Sequence, residues 1–272
     1  MSKYDKLWSY MRQRTEREIV LSFEEIDRIA GVPVDHSFLT YKKELLEYGY
    51  KVGKISMKQQ TVTFEKLLKS TLVLYVHGKG GTTDEAAHYQ PLFPECDVVG
   101  LDYVSETAWD AKEEFFSFTE PLFAGYERVI LIANSIGAYY SMCALPQEKL
   151  EHAYFISPIV SMERLICDMM QWAGVTEAEL CEKGIIETDF GEPLSWRYLC
   201  YTREHPFVWN VPTDILYGER DNLTALETVT AFTNAHSATL TVMKDGEHWF
   251  HTPEQMAFID RWIARCENAN VE

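Results

Sequence analysis

The chain has no C-x-x-C pair. Its six cysteines, Cys96, Cys143, Cys167, Cys181, Cys200 and Cys266, lie scattered without paired spacing, so neither a disulfide framework nor a dithiol redox motif can be read from them. No apolar run approaches the ~20 residues that a membrane helix requires. The opening Met1-Ser-Lys-Tyr-Asp-Lys-Leu-Trp8 lacks the apolar core of a signal peptide, so a cytoplasmic location is expected. No pair of histidines has metal-ligand spacing, and no G-x-x-x-x-G-K-[ST] loop is present to cradle a nucleotide phosphate. Neither a metal nor a cofactor is expected. Internal repeats and low-complexity runs are absent, and positive charge is scarce: 25 Lys and Arg stand against 42 Asp and Glu, a formal net charge of −17.

What is present is material for a core. Hydrophobic residues make up 46% of the 272 positions and aromatic residues 13%, which argues against disorder. That length holds one full domain and a small one. The charge is divided unevenly between them. Residues 1–70 carry 13 Lys and Arg against 10 Asp and Glu, whereas residues 71–272 carry 12 against 32. So acidic a body repels phosphate backbones, and nucleic acid is not its expected partner. We divide the chain into residues 1–67 and 68–272.

The first segment reads as small and α+β. Leu7, Tyr10 and Met11 recur at helical spacing between Tyr4 and Arg14, and Ile19-Val-Leu21 is a short strand. Ser22 is placed to cap a helix over Phe23–Ala30, with Gly31 as its stop. A third helix is expected over Leu39–Glu47. Tyr50–Ser56 and Thr61–Phe64 alternate like the two strands of a hairpin around Lys58-Gln-Gln60. This is the element order of a winged-helix module. The segment also resembles a small bacterial domain with the same Phe23-Glu-Glu-Ile26, Gly49-Tyr-Lys-Val52 and Thr61-Val-Thr-Phe64 signposts, a likeness that implies no activity. If it met nucleic acid, Lys42, Lys43, Lys51, Lys54 and Lys58 would be the phosphate contacts. A net charge of +3 is short of a basic footprint, so docking or homodimerisation is the favoured reading.

From residue 70 strands and helices alternate, and the residues with chemistry stand where strands end. Arg128-Val-Ile-Leu-Ile-Ala-Asn134 is an apolar strand that runs into Ser135, with Ala133 and Gly137 as small neighbours and a helix-compatible segment behind. A serine hydroxyl is a poor nucleophile until its oxygen is thrust toward a base, and a sharp strand-to-helix turn flanked by small residues does that. The pattern is A-x-S-x-G, with alanine where glycine is usual. Thr71-Leu-Val-Leu-Tyr-Val76 ends in His77-Gly-Lys-Gly-Gly81. Val211–Gly218 runs into Glu219-Arg-Asp221, and Ala238–Met243 is followed by Gly246-Glu-His248. Catalytic groups of open parallel sheets gather at this edge.

On these motifs, residues 70–268 resemble the α/β-hydrolase superfamily, whose triad follows the order Ser, Asp or Glu, His. The resemblance implies a mostly parallel sheet with helices on both faces. It also implies a helical cap, placed here at about 161–210, where the alternation is interrupted. By superfamily counting the body lacks the first two strands. The implied nucleophile is Ser135, the base His248 and the orienting acid Asp221. Asp214, inside its strand, and Glu219, two residues upstream, are rival acids; His251 is a rival histidine read as exposed or capping. The oxyanion donors implied are the N–H groups of Ile136 and Lys79, with Gly80 as the alternative to Lys79. The Lys79 side chain is read as solvated or turned away, and His77 as orienting the loop. Among the cap aromatics Trp172, Trp196, Tyr198, Tyr201 and Trp209, we single out Trp172, Trp196 and Tyr201 as candidates to line a substrate pocket.

The expected activity is that of a serine hydrolase working through an acyl-enzyme, most simply a carboxylesterase on small or medium apolar acyl groups. A thioesterase or amidase would use the same groups. A different class, a ligand-sensing protein whose first segment contacts DNA or protein, is opposed by the intact Ser, Asp and His set. The expected partner is a small-molecule acyl substrate, with no membrane partner.

Overall fold

The structure, a computed structural model, describes residues 3–14, 16–67 and 70–270. The chain divides into two compact units, Met1–Lys69 and Ser70–Glu272.

The first unit builds helix α1 (Asp5–Arg12), strand β1 (Glu18–Ser22), helix α2 (Phe23–Ala30), a single helical turn α3 (Phe38–Tyr41), and strands β2 (Tyr50–Ser56) and β3 (Thr61–Lys66). The strands form an antiparallel sheet in the order β1-β3-β2. Ser22 caps α2 as its position implies. The Glu25 N–H donates to Ser22 Oγ (3.2 Å), and the Ser22 N–H donates to Glu25 Oε2 (2.8 Å). Gly31 ends the helix in the left-handed region. Tyr4, Leu7, Trp8, Ile26, Phe38, Leu45, Tyr50 and Phe64 fill the core. The continuous helix expected over Leu39–Glu47 does not form. After α3 the chain tightens into a 3₁₀ turn over Glu44–Tyr48. Thr40 and Tyr41 are poor helix formers. The tightening buries Leu45 and brings Glu44 Oε2 to the Trp8 indole N–H (3.3 Å), while Leu39 and Leu46 stay half exposed. Of the basic residues singled out here, Lys51 is paired with Glu65 (2.9 Å).

The second unit is a six-stranded sheet in the order β11-β10-β7-β6-β4-β5, and every pairing is parallel. Its strands are β4 (Thr71–Val76), β5 (Asp97–Gly100), β6 (Arg128–Asn134), β7 (Leu150–Ile156), β10 (Thr213–Gly218) and β11 (Ala238–Met243). Burial on both faces explains why β4 and β10 read as unbroken apolar runs. Alternate residues enter opposite cores. Leu72, Leu74, Leu131, Phe155 and Ile215 meet helices α4 (Ala108–Phe123) and α5 (Ile136–Ala144). Val73, Tyr75, Ile132, Tyr154 and Leu216 meet the closing helix α10 (Pro253–Asn270) and a 3₁₀ helix over Thr83–His88.

Between β7 and β10 lies an insertion. It consists of α6 (Met162–Ala173), α7 (Glu177–Lys183), a two-residue-strand hairpin of β8 (Ile185–Ile186) and β9 (Leu194–Ser195), and α8 (Trp196–Glu204). The aromatic-rich stretch expected here is partly the helix α8. Its Tyr198 and Tyr201 rings pack edge-on against Trp109 of α4, at centroid separations of 5.3 and 4.9 Å. Helix α9 (Leu226–Ala235) leaves little pattern in the sequence: three threonines obscure its periodicity, and only Val229 and Phe232 are buried. Among the described residues no helix is long and apolar enough to cross a membrane.

Candidate active site

The apolar strand β6 carries Asn134 to the sheet's C-terminal edge, where the chain turns sharply. Ser135 occupies φ 50°, ψ −120°, a backbone region that side chains other than glycine rarely enter. Neighbouring backbone holds it there: the Ser135 N–H donates to the Ile156 carbonyl (3.0 Å), and the Ile159 N–H donates to the Ser135 carbonyl (3.0 Å). Helix α5 starts at the next residue. A Cβ on Gly137 would run into the His77 carbonyl oxygen and stand 2.8 Å from that of Val76. Helix and strand approach too closely there for any other residue.

Ser135 Oγ lies 2.8 Å from His248 Nε2, and His248 Nδ1 lies 2.7 Å from Asp221 Oδ2. The Asp221 side chain is wholly buried. Its other oxygen accepts the Leu223 and Thr224 N–H groups at 2.9 and 3.0 Å, which fixes the carboxylate's orientation. Because an ionised carboxylate only accepts, Nδ1 carries the imidazole proton, and Nε2 is left to accept from the serine hydroxyl. The loops after β10 and β11 are knitted by Arg220 N–H to the Gly246 carbonyl (2.7 Å) and Glu219 N–H to the Met243 carbonyl (3.0 Å).

The rival groups lie elsewhere. Asp214 faces His152 Nε2 (3.0 Å) and Thr239 Oγ1 in the N-terminal part of its strand. Glu219 accepts the Asp245 N–H (2.9 Å). The His251 ring stacks on Trp249 at 4.3 Å and its Nδ1 donates to the Trp249 carbonyl (2.7 Å).

The glycine loop backs onto the serine. A Cβ on Gly78 would stand 3.2 Å from Ser135 Cβ. The Gly81 N–H donates to the Gly78 carbonyl (3.1 Å), closing a turn in which Gly80 has φ +75°. His77 orients this turn: its ring stacks on Tyr103 at 4.3 Å, and its Nδ1 donates to the Gly78 carbonyl (2.8 Å). The Tyr103 hydroxyl in turn donates to the His77 carbonyl (2.7 Å). Lys79 thus follows a glycine in contact with Ser135. Ile136 is the first residue of α5, where the backbone N–H has no acceptor within the helix and the helix dipole favours negative charge.

The Lys79 side chain is exposed, in keeping with its reading as solvated, and its Nζ reaches Glu192 in the β8–β9 loop (2.6 Å). Nothing local in the sequence signals a pair 113 residues apart. Of the pocket candidates, Trp196 and Tyr201 are partly buried against the larger core. Trp172 is half exposed, its ring edge-on to Phe190 at 6.1 Å. No group of three or more His, Cys, Asp and Glu is placed to hold a metal ion among the described residues.

No protein-family model matches the chain, and no curated protein matches its sequence. Solved structures do match its architecture. Est1E from Butyrivibrio proteoclasticus shares 13% identity at a TM-score of 0.58, covering 75% of this chain and 89% of its own. Est1E with ferulic acid bound gives 14% identity and a TM-score of 0.57, over 75% and 90% of the two chains. The alpha/beta hydrolase domain-containing protein 10 from mouse shares 12% identity at 0.58, covering 81% of this chain and 93% of its own. The fold is that of the α/β-hydrolases. Relative to the expectation, the sheet is wholly parallel, and β4 is the first strand of this unit in chain order.

Proposed function

We propose that the chain is a serine hydrolase of carboxylic esters with small or medium apolar acyl groups. The observation that carries this reading is the continuous chain from Ser135 Oγ through His248 to the buried carboxylate of Asp221, with the serine on a strained turn. Fold likeness alone names no substrate. All five proposed working residues, Ser135, His248, Asp221, Lys79 and Ile136, lie in the second unit.

In the proposed reaction Ser135 Oγ bonds to the ester carbonyl carbon as its proton passes to His248 Nε2. Negative charge moves onto the carbonyl oxygen, which faces the N–H groups of Lys79 and Ile136. Asp221 stabilises the imidazolium. Collapse of the adduct breaks the bond to the alcohol, which leaves with the proton from Nε2. Water then attacks the acyl-enzyme, giving its proton to His248, and the acid and free serine are released. The insertion after β7 is our candidate cap, and Trp196, Tyr201 and Trp172 are candidates for its substrate-facing side. The cytoplasmic location and the winged-helix likeness of residues 1–67 rest on sequence pattern alone.

The test is labelling by a fluorophosphonate probe, followed by p-nitrophenyl esters of graded chain length, a ferulate ester, an acyl thioester and an anilide. The ferulate ester is included because Est1E has been solved with ferulic acid bound. A covalent adduct on Ser135, lost in Ser135→Ala together with ~10⁶ in kcat, is expected. An unlabelled wild-type enzyme that turns over none of these substrates would sink the reading.

A further inference from the structure

Beneath Ser135 a line of polar groups crosses from one half of the proposed oxyanion hole to the other. Asn134, the residue before the serine, donates from Nδ2 to the Tyr75 hydroxyl (2.8 Å). Tyr75, on β4 and fully buried, donates its single phenolic proton to Glu85 Oε2. The other carboxylate oxygen, Glu85 Oε1, accepts the Thr82 N–H (3.2 Å), at the end of the glycine loop. Thr82 and Glu85 also form the two halves of a capping box on the 3₁₀ helix over Thr83–His88. The same carboxylate fills the space beside Gly81, where a Cβ would stand 2.9 Å from Glu85 Oε1.

The directions in this line are forced. A carboxylate has no proton to give, so the phenol must donate to Glu85 and can only accept from the amide. Burial, with help from neighbouring Tyr89 and Glu85, holds the Tyr75 hydroxyl far above its ordinary pKa, so it remains a donor. Asn134 Oδ1 is buried with no hydrogen-bond partner among the described residues.

We infer that Glu85 is a positioning residue for the oxyanion hole. Its carboxylate holds the glycine loop through Thr82 N–H, and holds the strand end before Ser135 through Tyr75 and Asn134. One group thereby sets the separation of the Lys79 and Ile136 N–H groups. Neither donor is touched by Glu85, so its effect passes through backbone placement. Such placement matters because a misplacement of ~1 Å can cost on the order of 10² in rate. The inference rests on the hydrolase reading above.

The test uses the full chain with Glu85→Ala, Glu85→Gln and Tyr75→Phe. A trifluoromethyl alkyl ketone, which forms a tetrahedral oxyanion on a reactive serine, reports the hole directly. Glu85→Ala should lower kcat by roughly 10–100-fold with KM within about twofold, and weaken the ketone by the same factor as kcat. Tyr75→Phe should give part of that loss and add little in the Glu85→Ala background, because the two act as one unit. Glu85→Gln, whose amide oxygen still accepts from Tyr75, should recover part of it. If Glu85→Ala fails to fold, Tyr75→Phe, which keeps the ring volume, decides alone. Folded variants with unchanged kcat and ketone affinity overturn the inference. So does a loss confined to thermal stability or KM. A wild-type enzyme that forms no fluorophosphonate adduct at Ser135 overturns the hydrolase reading instead, and this inference with it.

Discussion

Asp221 Oδ2 and His248 Nδ1 lie 2.7 Å apart across 27 residues of chain. The distance is short because β10 and β11 are neighbouring parallel strands whose C-terminal loops share backbone hydrogen bonds. Glu219 is two residues from Asp221 and turns to the Asp245 N–H instead.

Asp221→Asn should therefore depress ester hydrolysis by roughly 10⁴ while the protein stays folded, since the amide disturbs the imidazole tautomer. Glu219→Gln should stay within about threefold of wild type, as a surface change remote from the reacting atoms. Steady-state kinetics on a p-nitrophenyl ester decide it, and the reverse ranking would move the acid to Glu219.

Gly137→Ala should destabilise the second unit by about 3 kcal/mol or more, because the new Cβ meets backbone oxygens of His77 and Val76 rather than a side chain that can swing away. Fluorophosphonate labelling should fall in the same protein as the turn opens. Thermal denaturation checks the first effect and labelling rate the second; a wild-type melting temperature would show that the strand and helix have room to spare.

Cysteine reactivity should follow burial. Burial pushes the Cys143 thiol up to about 11. Burial, and next the neighbouring Asp214 carboxylate, pushes Cys266 up to about 12. Cys181 is exposed. With iodoacetamide at about pH 8, Cys181 should be alkylated first, and Cys143 and Cys266 at least ~10-fold more slowly, because the thiolate is the nucleophile. Peptide mass spectrometry over a time course reads this directly; equal rates at Cys181 and Cys266 would contradict it.

Asp214 should stabilise the protein above about pH 4 and lose that effect below it. Burial alone would raise its pKa, but hydrogen bonds from His152 and Thr239 outweigh burial and leave it below the ordinary 3.8. A carboxylate depressed in the folded state gives its full contribution above the unfolded value and loses it as pH falls through the folded one. Urea midpoints of wild type and Asp214→Asn should differ most near pH 6 and converge toward pH 3. A gap that widens on acidification would reverse the sign.

Much of this architecture is legible in the sequence. Ser22 and Gly31 announced the ends of a helix because caps are read within three or four residues. The strands of the second unit announced themselves as short apolar runs, and Ser135 as the small-flanked residue at the end of one of them. Each of these signals is carried by contiguous residues whose local geometry is nearly the same in any fold. One local reading failed, and one helix gave no local signal, each for a local reason. The segment at Leu39–Glu47 holds weak helix formers and tightened to serve the core. The threonines of Leu226–Ala235 hid a helix that only packing rescues.

The choice among Asp214, Glu219 and Asp221 was of another kind. Sequence order already favoured Asp221 over Asp214 and Glu219, but it is the pairing of β10 with β11 that brings its carboxylate against the imidazole. The same holds for Lys79 with Glu192, and for the line from Asn134 through Tyr75 to Glu85. The Thr82-Thr-Asp-Glu85 pattern was a readable capping box, yet nothing in it foretold the tyrosine it would hold. By itself the sequence determined which residues could do chemistry and which strand ends would carry them, because propensity and periodicity act over a few residues. The tertiary structure alone decided which of them touch, because those contacts follow from crossovers that bring distant strands side by side.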